Sequence, residues 1–157
     1  LSRDANPRAD TSAERLSGLK PAFDRESGMG SLTAGNSSPI TDGAAGCWVS
    51  NEEGLKRLPD GTPYARIIDY EVSAVDLRTE GLLMAPSYAV PRLLARHHLG
   101  FADIALWEIH EAFAAQVLAN VAAITDPNWV REKARVSAEM GNFDWDRVNP
   151  NLSLIHI

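Results

Sequence analysis

His110 and Glu111 are the residues of this chain whose types and position point to chemistry. They lie in Trp107-Glu108-Ile109-His110-Glu111-Ala112-Phe113-Ala114-Ala115-Gln116, where the hydrophobic period changes. Upstream, the apolar run Ile104-Ala105-Leu106 predicts a short buried strand. Downstream, Glu111 to Ile124 carries Ala112, Ala115, Leu118, Ala119, Ala122 and Ala123 at helical spacing. His110 falls where strand gives way to helix. A polar side chain at a strand's carboxyl end, beside the donor-rich start of a helix, is suited to meet an anion or a developing negative charge. Glu111 either orients His110 or a water, or serves only as an acidic residue at a helix start, worth ~0.3–1 kcal/mol to the helix dipole. A zinc-hydrolase pattern fails, because H-E-x-x-H needs a second histidine where Ala114 stands. No metal site is expected.

The elements that must position these residues follow from periodicity and punctuation. Residues 1–39 are rich in Ser, Gly, Pro and charge, with Leu16, Leu19 and Phe23 among few apolar residues, and predict an ordered excursion lying on a larger body. Ala44 to Val49 predicts a central strand. Cys47 inside it is expected to be buried as a small hydrophobe, since no His, Lys or helix start stands nearby to lower its pKa. Ser50-Asn51-Glu52-Glu53 predicts a capping box led by Ser50 and a helix to about Leu58, stopped by Pro59-Asp60-Gly61. Ala65 to Ser73, with Ile67, Ile68, Tyr70 and Val72, predicts a second strand. A helix over 89–98 carries Pro91 in its first turn and stops at Gly100, with His97 and His98 solvated at its end. Ile104 to Ile109 is the third strand and 111–124 the next helix. Asp126 then caps a helix with Pro127 at its first position, running to about Val136. Apolar strands alternating with helices predict βαβ units, an α/β class and a sheet covered on both faces.

Composition bounds the function. The chain has 157 residues, 45% hydrophobic and 23% charged, one globular domain's worth of sequence. A net charge of −6 and a pI near 5.1 argue against nucleic-acid binding, while an anionic ligand needs only a local basic contact. No apolar run approaches the ~20 residues of a membrane helix. The single cysteine excludes an internal disulfide and fits a reducing compartment.

His110-Glu111-Ala112-Phe113-Ala114-Ala115-Gln116 closely resembles the H-E-A-F-A-A-Q motif of thiolases, enzymes that cleave or make 3-ketoacyl-CoA. It is most similar to the branch with His where most thiolases carry Asn, as in the thiolase subunit of fatty-acid oxidation complexes. Leu19-Lys20-Pro21-Ala22-Phe23-Asp24 is similar to the family's L-[KR]-P-A-F-D. Thr33-Ala34-Gly35-Asn36-Ser37-Ser38-Pro39 through Thr41-Asp42-Gly43-Ala44-Ala45 resembles T-A-G-N-x-S-x-x-x-D-G-A-A. Asp144 to Asn151 resembles the approach to V-N-x-x-G-G-x-x-A-x-G-H-P. These strings stand in the family's order over residues 8–151.

The resemblance implies a five-layered α-β-α-β-α fold, of which this chain is a slice. Residues 1–49 would be the tail of the CoA-covering loop region and the last strand of the N-terminal half. Residues 50–151 would open the C-terminal half. The family's nucleophilic cysteine, its G-H-P histidine and its C-x-G cysteine are not in this sequence. The expectation is an internal piece of a longer protein, inactive alone. Leu152-Ser153-Leu154-Ile155-His156-Ile157 does not fit the family and matches one reading frame of a transposon adapter used in DNA library preparation. It is expected to be an artefact.

The implied reaction is acyl transfer through an acyl-cysteine: 3-ketoacyl-CoA plus CoA gives acetyl-CoA and a shortened acyl-CoA. CoA is a co-substrate, and no permanently bound cofactor is implied. His110 would donate to the thioester oxygen as the enolate of acetyl-CoA departs. Ala112 and Phe113 would line the pantetheine tunnel, although packing alone would explain both. Ala34 and Ser38 align with positions that meet the pantetheine arm, and an ordinary Ser-Pro turn would also account for Ser38. Arg8 matches a basic position near the CoA phosphates, or is simply solvated. The long stretch from Ile124 through Gly141 resembles the fatty-acid-oxidation branch. Implied partners are acyl-CoA and CoA, a homo-dimer or higher oligomer, and a hydratase/dehydrogenase subunit. The implied location is the bacterial cytoplasm, or the mitochondrial matrix in a eukaryote. Two rivals stay open: a biosynthetic acetyl-CoA acetyltransferase and a non-catalytic thiolase-fold lipid-binding protein.

Overall fold

The computed structural model describes residues 8–42, 44 and 46–150, so Leu152 to Ile157 and the first seven residues lie outside the described residues. Among the described residues five helices follow in chain order: α1 (Ala13–Ser17), α2 (Glu52–Leu55), α3 (Pro86–Arg96), α4 (Ala114–Thr125) and α5 (Pro127–Glu132). Single 3-10 turns stand at Phe101–Asp103 and Trp145–Arg147.

Capping chemistry sets most of the starts. Ser12 accepts from the Arg15 amide at α1. Asp126 accepts from the Asn128 amide at α5, with Pro127 at the first position as expected. At α2 the cap is Asn51, not Ser50. Its side chain takes the Gly54 amide at 3.0 Å, while Ser50 Oγ donates to the Asn51 carbonyl. α2 is also shorter than expected. α3 starts at Pro86, a turn early, because the buried Ser87 amide is anchored by Asn120 Oδ1 at 3.0 Å. Pro91 therefore sits in the helix interior, where it cannot donate to the Ser87 carbonyl. α3 ends before Gly100. The Leu99 amide bonds the Leu94 carbonyl and the His98 amide bonds that of Ala95, a Schellman closure with His98 at φ 55° in the left-handed position usually held by glycine. α5 stops at Glu132. Arg135 then turns left-handed at φ 62°, which brings Ala134 and Val136 into the core.

That core lies where α3, α4 and α5 meet. Leu94, Phe101, Ile124, Val130, Ala134, Val136 and Met140 are buried together, with Val90, Ile104, Trp107 and Phe143 packed against them. The side-chain amide inside it is fully used, whereas the buried indole nitrogens of Trp107 and Trp129 find no partner among the described residues. Asn120 receives the Ser87 amide and donates to the Leu83 and Gln116 carbonyls. At the core's edge Tyr88 donates to Glu80 at 2.6 Å, and burial together with that carboxylate pushes its phenol up to about 12.

The three expected strands do not form ladders. Among the described residues the only β pairings are isolated bridges, Ser37 with Phe113 antiparallel and Trp107 with Val148 parallel. A segment becomes a strand only when a neighbouring backbone takes its amides, and no described extended segment pairs with 65–73. Burial alternates over its second half, 69–73, while residues 65–68, Ile67 included, are all exposed. Asp69, Glu71 and Ser73 lean on α3, while Ile68, Tyr70 and Val72 are 76%, 76% and 79% exposed. Within 104–109 only Trp107 is bridged. Over 44–49, Ala45 lies outside the described residues, and Trp48 and Val49 are exposed. Cys47 is exposed too, in a segment that no other described residues cover, where burial was expected.

The inner face of 65–73 is held by charge. Arg96 pairs with Asp69 at 2.8 Å and also with Glu71, and His97 Nε2 lies 2.8 Å from Asp69 Oδ2. His97 is thus partnered and not merely solvated. Hydrogen bonds from Arg96 first, then His97 and the Tyr70 amide, hold the Asp69 carboxyl well below the usual carboxylate range. A depressed folded pKa stabilises above the unfolded value near 3.9 and is lost as pH falls. Asp69→Asn is therefore expected to lower Tm at pH 7, with the gap to wild type closing below pH 4. A gap independent of pH would contradict the pairing. The 157-residue chain alone, with its apolar outer face and open edges, is expected to self-associate on light scattering. A monodisperse monomer with a cooperative unfolding transition would count against that.

Candidate active site

The segment that carries His110 is fixed from two sides. Trp107 anchors its start. Its amide donates to the Arg147 carbonyl at 2.9 Å, and the Asn149 amide donates to the Trp107 carbonyl at 2.8 Å. Its indole packs on Phe101 and Phe143, with ring centroids 5.9 and 5.3 Å away. Arg147 adds bonds from one guanidinium nitrogen to the Ala102 and Ile104 carbonyls at 2.9 and 2.8 Å. The chain is thereby pinned just before the site.

Asn149 then grips the next residues. The Ile109 amide donates to Asn149 Oδ1 at 2.7 Å, and Asn149 Nδ2 donates to the Ile109 carbonyl at 2.8 Å. The same nitrogen donates to Glu111 Oε1. Asn149 adopts φ 48°, a left-handed conformation that asparagine tolerates better than most residues. His110 lies between the two gripped residues. Its side chain is exposed and forms no hydrogen bond with the described residues, so both ring nitrogens are open to a ligand.

On the far side, Ala112 and Phe113 are tied to the loop at 33–39. The Ser38 amide donates to the Ala112 carbonyl at 2.8 Å, and the Ala114 amide donates to the Asn36 carbonyl at 3.0 Å. Residues 112 and 113 are thus committed to extended pairing, which is why α4 begins at Ala114 and not at Glu111. Glu111 consequently belongs to no helix turn, and its carboxylate faces Asn149 instead. Phe23 meets Phe113 edge-on at 6.5 Å. Asn36 holds the loop itself: Oδ1 accepts from the Thr33 amide at 2.8 Å and Nδ2 donates to the Ser31 carbonyl at 2.9 Å. The Ser38 hydroxyl turns to the Pro39 carbonyl at 3.4 Å.

Ala34 lines an open groove with Arg8, Leu16, Leu19, Gly35 and Pro39. A Cβ on Gly35 would come within 2.5 Å of Leu16 Cδ2 and 2.9 Å of Leu19 Cδ1, so α1 and its following turn pack directly on the loop backbone. Arg8 is exposed at the groove's edge. Arg15 pairs with Asp10 and bonds its carbonyl at 2.7 Å.

The structure therefore brings Arg8 and Ala34 onto one groove, and joins Ser38 to Ala112 and Phe113 through the backbone. It sets His110 two residues before that junction. Sequence reasoning did not single out Asn36 or Asn149. Both lay inside the matching strings T-A-G-N and V-N, and a short amide beside a turn was the signal that could have found them. Among the described residues no cluster of His, Cys, Asp and Glu could hold a metal ion.

Comparison with solved structures defines the class as an α/β fold of thiolase architecture. The dimeric peroxisomal thiolase of Saccharomyces cerevisiae superposes with a TM-score of 0.73 at 31% identity, over 97% of this chain and 33% of that one. An acetyl-CoA acetyltransferase from Syntrophomonas wolfei superposes with a TM-score of 0.67 at 27% identity, over 99% of this chain and 35% of that one. The backbone path is therefore that of the fold, even where the ladders are absent. Residues 61–151 match the family described as "Thiolase, C-terminal domain" and residues 1–53 match "Thiolase, N-terminal domain". The chain belongs to the thiolase family. A protein called 3-ketoacyl-CoA thiolase in Serratia proteamaculans is 41% identical over 149 residues, 95% of this chain and 33% of that protein. One of the same name in Alteromonas mediterranea is 40% identical over 149 residues, with the same shares. The chain thus spans about a third of the length of the relatives it matches.

Proposed function

We propose that the protein bearing this segment is a degradative 3-ketoacyl-CoA thiolase, transferring an acyl group from 3-ketoacyl-CoA to CoA. The observation that carries this reading is the open imidazole of His110, held between a residue gripped by Asn149 and the Ala112–Phe113 stretch bonded to the 36–38 loop. It is supported by relatives named 3-ketoacyl-CoA thiolase.

The chemistry follows from the bond that breaks. A thiolate, which this segment does not supply, adds to the 3-keto carbon of the substrate. The C2–C3 bond then cleaves, its electron pair passing to the departing acetyl thioester as an enolate whose charge rests on the thioester oxygen. An N–H already aimed at that oxygen lowers the barrier, and losing one such donor costs about 10²–10³ in rate, roughly 3–4 kcal/mol. His110 supplies that N–H. Protonation of the enolate carbon completes acetyl-CoA, and CoA thiol then releases the shortened acyl group from the cysteine.

Binding of the CoA arm falls to the loop side. Ala34 and Ser38, with Ala112 and Phe113 across the pairing, form the wall of the pantetheine channel, and Arg8 meets the phosphates. The reading extends to a homo-dimer or higher assembly, for which the yeast neighbour's dimeric title is support. It extends further to a hydratase/dehydrogenase partner subunit and to the bacterial cytoplasm. No helix of the described residues is long and apolar enough to cross a membrane. A condensing acetyl-CoA acetyltransferase would use the same His110, and the likeness to the Syntrophomonas enzyme keeps that direction as the second reading.

In the product of the intact open reading frame, His110→Ala is expected to slow thiolysis about a hundredfold or more while acyl-CoA still binds. Unchanged turnover would remove His110 from the mechanism. Acyl-CoA binding without turnover in the wild type would favour a lipid carrier of the same fold.

A further inference from the structure

Asn149 is forty residues from Ile109 in the chain, yet its side-chain amide covers both polar groups of that residue's backbone. It also reaches Glu111 Oε1, so its contacts fall one residue before His110 and one residue after. The parallel bridge between Trp107 and Val148 sets the register that makes this reach possible. Only an amide does both jobs. A carboxylate at 149 would keep an acceptor for the Ile109 amide, but would offer no donor to the Ile109 carbonyl and would face Glu111 with a second negative charge.

We propose that Asn149 is a positioning residue for the carbon–carbon cleavage step. By fixing Ile109 and Glu111 it keeps the His110 N–H aimed where the thioester oxygen gathers charge. The inference rests on the assignment of His110 to that oxygen. Asn149 touches no reacting atom and acts through His110.

The consequence is selective. Cleavage of a 3-ketoacyl thioester breaks the C2–C3 bond and leaves its electron pair on an enolate. Exchange of a simple acyl group between acyl-CoA and free CoA breaks and forms only C–S bonds, with no enolate. A misaimed His110 slows the first reaction and spares the second.

The test compares wild type, Asn149→Asp, Asn149→Gly and His110→Ala in the product of the intact open reading frame. Asp and Gly both tolerate the left-handed backbone at 149, so neither change forces the chain out of its conformation. Each variant is assayed for thiolysis of acetoacetyl-CoA and for exchange of labelled CoA into butyryl-CoA, with Tm recorded. Asn149→Asp and Asn149→Gly are expected to lower kcat for thiolysis about tenfold to a hundredfold, with KM and exchange rate close to wild type and Tm lowered by a few degrees as the bonds to Ile109 and Glu111 are lost. Equal losses in both reactions, no loss, or failure of both variants to fold would assign Asn149 a purely structural role and overturn the inference. If His110→Ala leaves thiolysis intact, the reading beneath the inference fails and the inference falls with it. If His110→Ala slows thiolysis selectively while neither Asn149 variant does, the positioning role alone is lost.

Discussion

A single side-chain amide closes the candidate site. The Asn149–Ile109 pair is a two-way exchange of hydrogen bonds between a side chain and a backbone far away in sequence. Each bond to Ile109 contributes about 0.5–1.5 kcal/mol net, and the solvent-exposed one to the Glu111 carboxylate adds less than a buried charged bond would. The larger effect is geometric. A histidine at the end of an unpaired extended segment would otherwise sample many directions. With its neighbours fixed on both sides, it has only its own side-chain torsions left. Everything proposed about the chemistry needs that restriction.

The same logic runs through the loop side. The 33–38 loop holds its shape through Asn36, then lends its backbone to Ala112 and Ala114. Two asparagines therefore govern two approaches to one short stretch. Behind them stands the aromatic group of Phe101, Trp107, Phe143 and Trp145, which sits where the last helix contacts end and the site segment begins. The packed core of α3, α4 and α5 ends at the place where the site begins.

Local signals in the sequence carried much of this. Asp126-Pro127 marked the start of α5, and the alanine-rich period marked α4, because capping and amphipathic spacing are decided within a few residues. The motif strings identified the family and the segment that carries His110. Strand pairing was out of reach, since a ladder depends on a neighbour that the period of one segment does not name. Thus 65–73 alternates in burial only over 69–73 and gains no partner among the described residues, and Cys47 is exposed where a covered sheet would have buried it. Asn149 was invisible for a similar reason: its value lies in a contact forty residues away. The end of α3 differed because His98 took a left-handed conformation, and Gly100 was not needed there.

Amide hydrogen exchange at Ile109, resolved by NMR in the intact protein, tests the central claim most directly. Its amide donates to Asn149 Oδ1, whereas that of His110 has no acceptor among the described residues. Strong protection at Ile109 beside fast exchange at His110 is the predicted result. Equal, unprotected exchange at both positions would mean that the grip does not exist in solution.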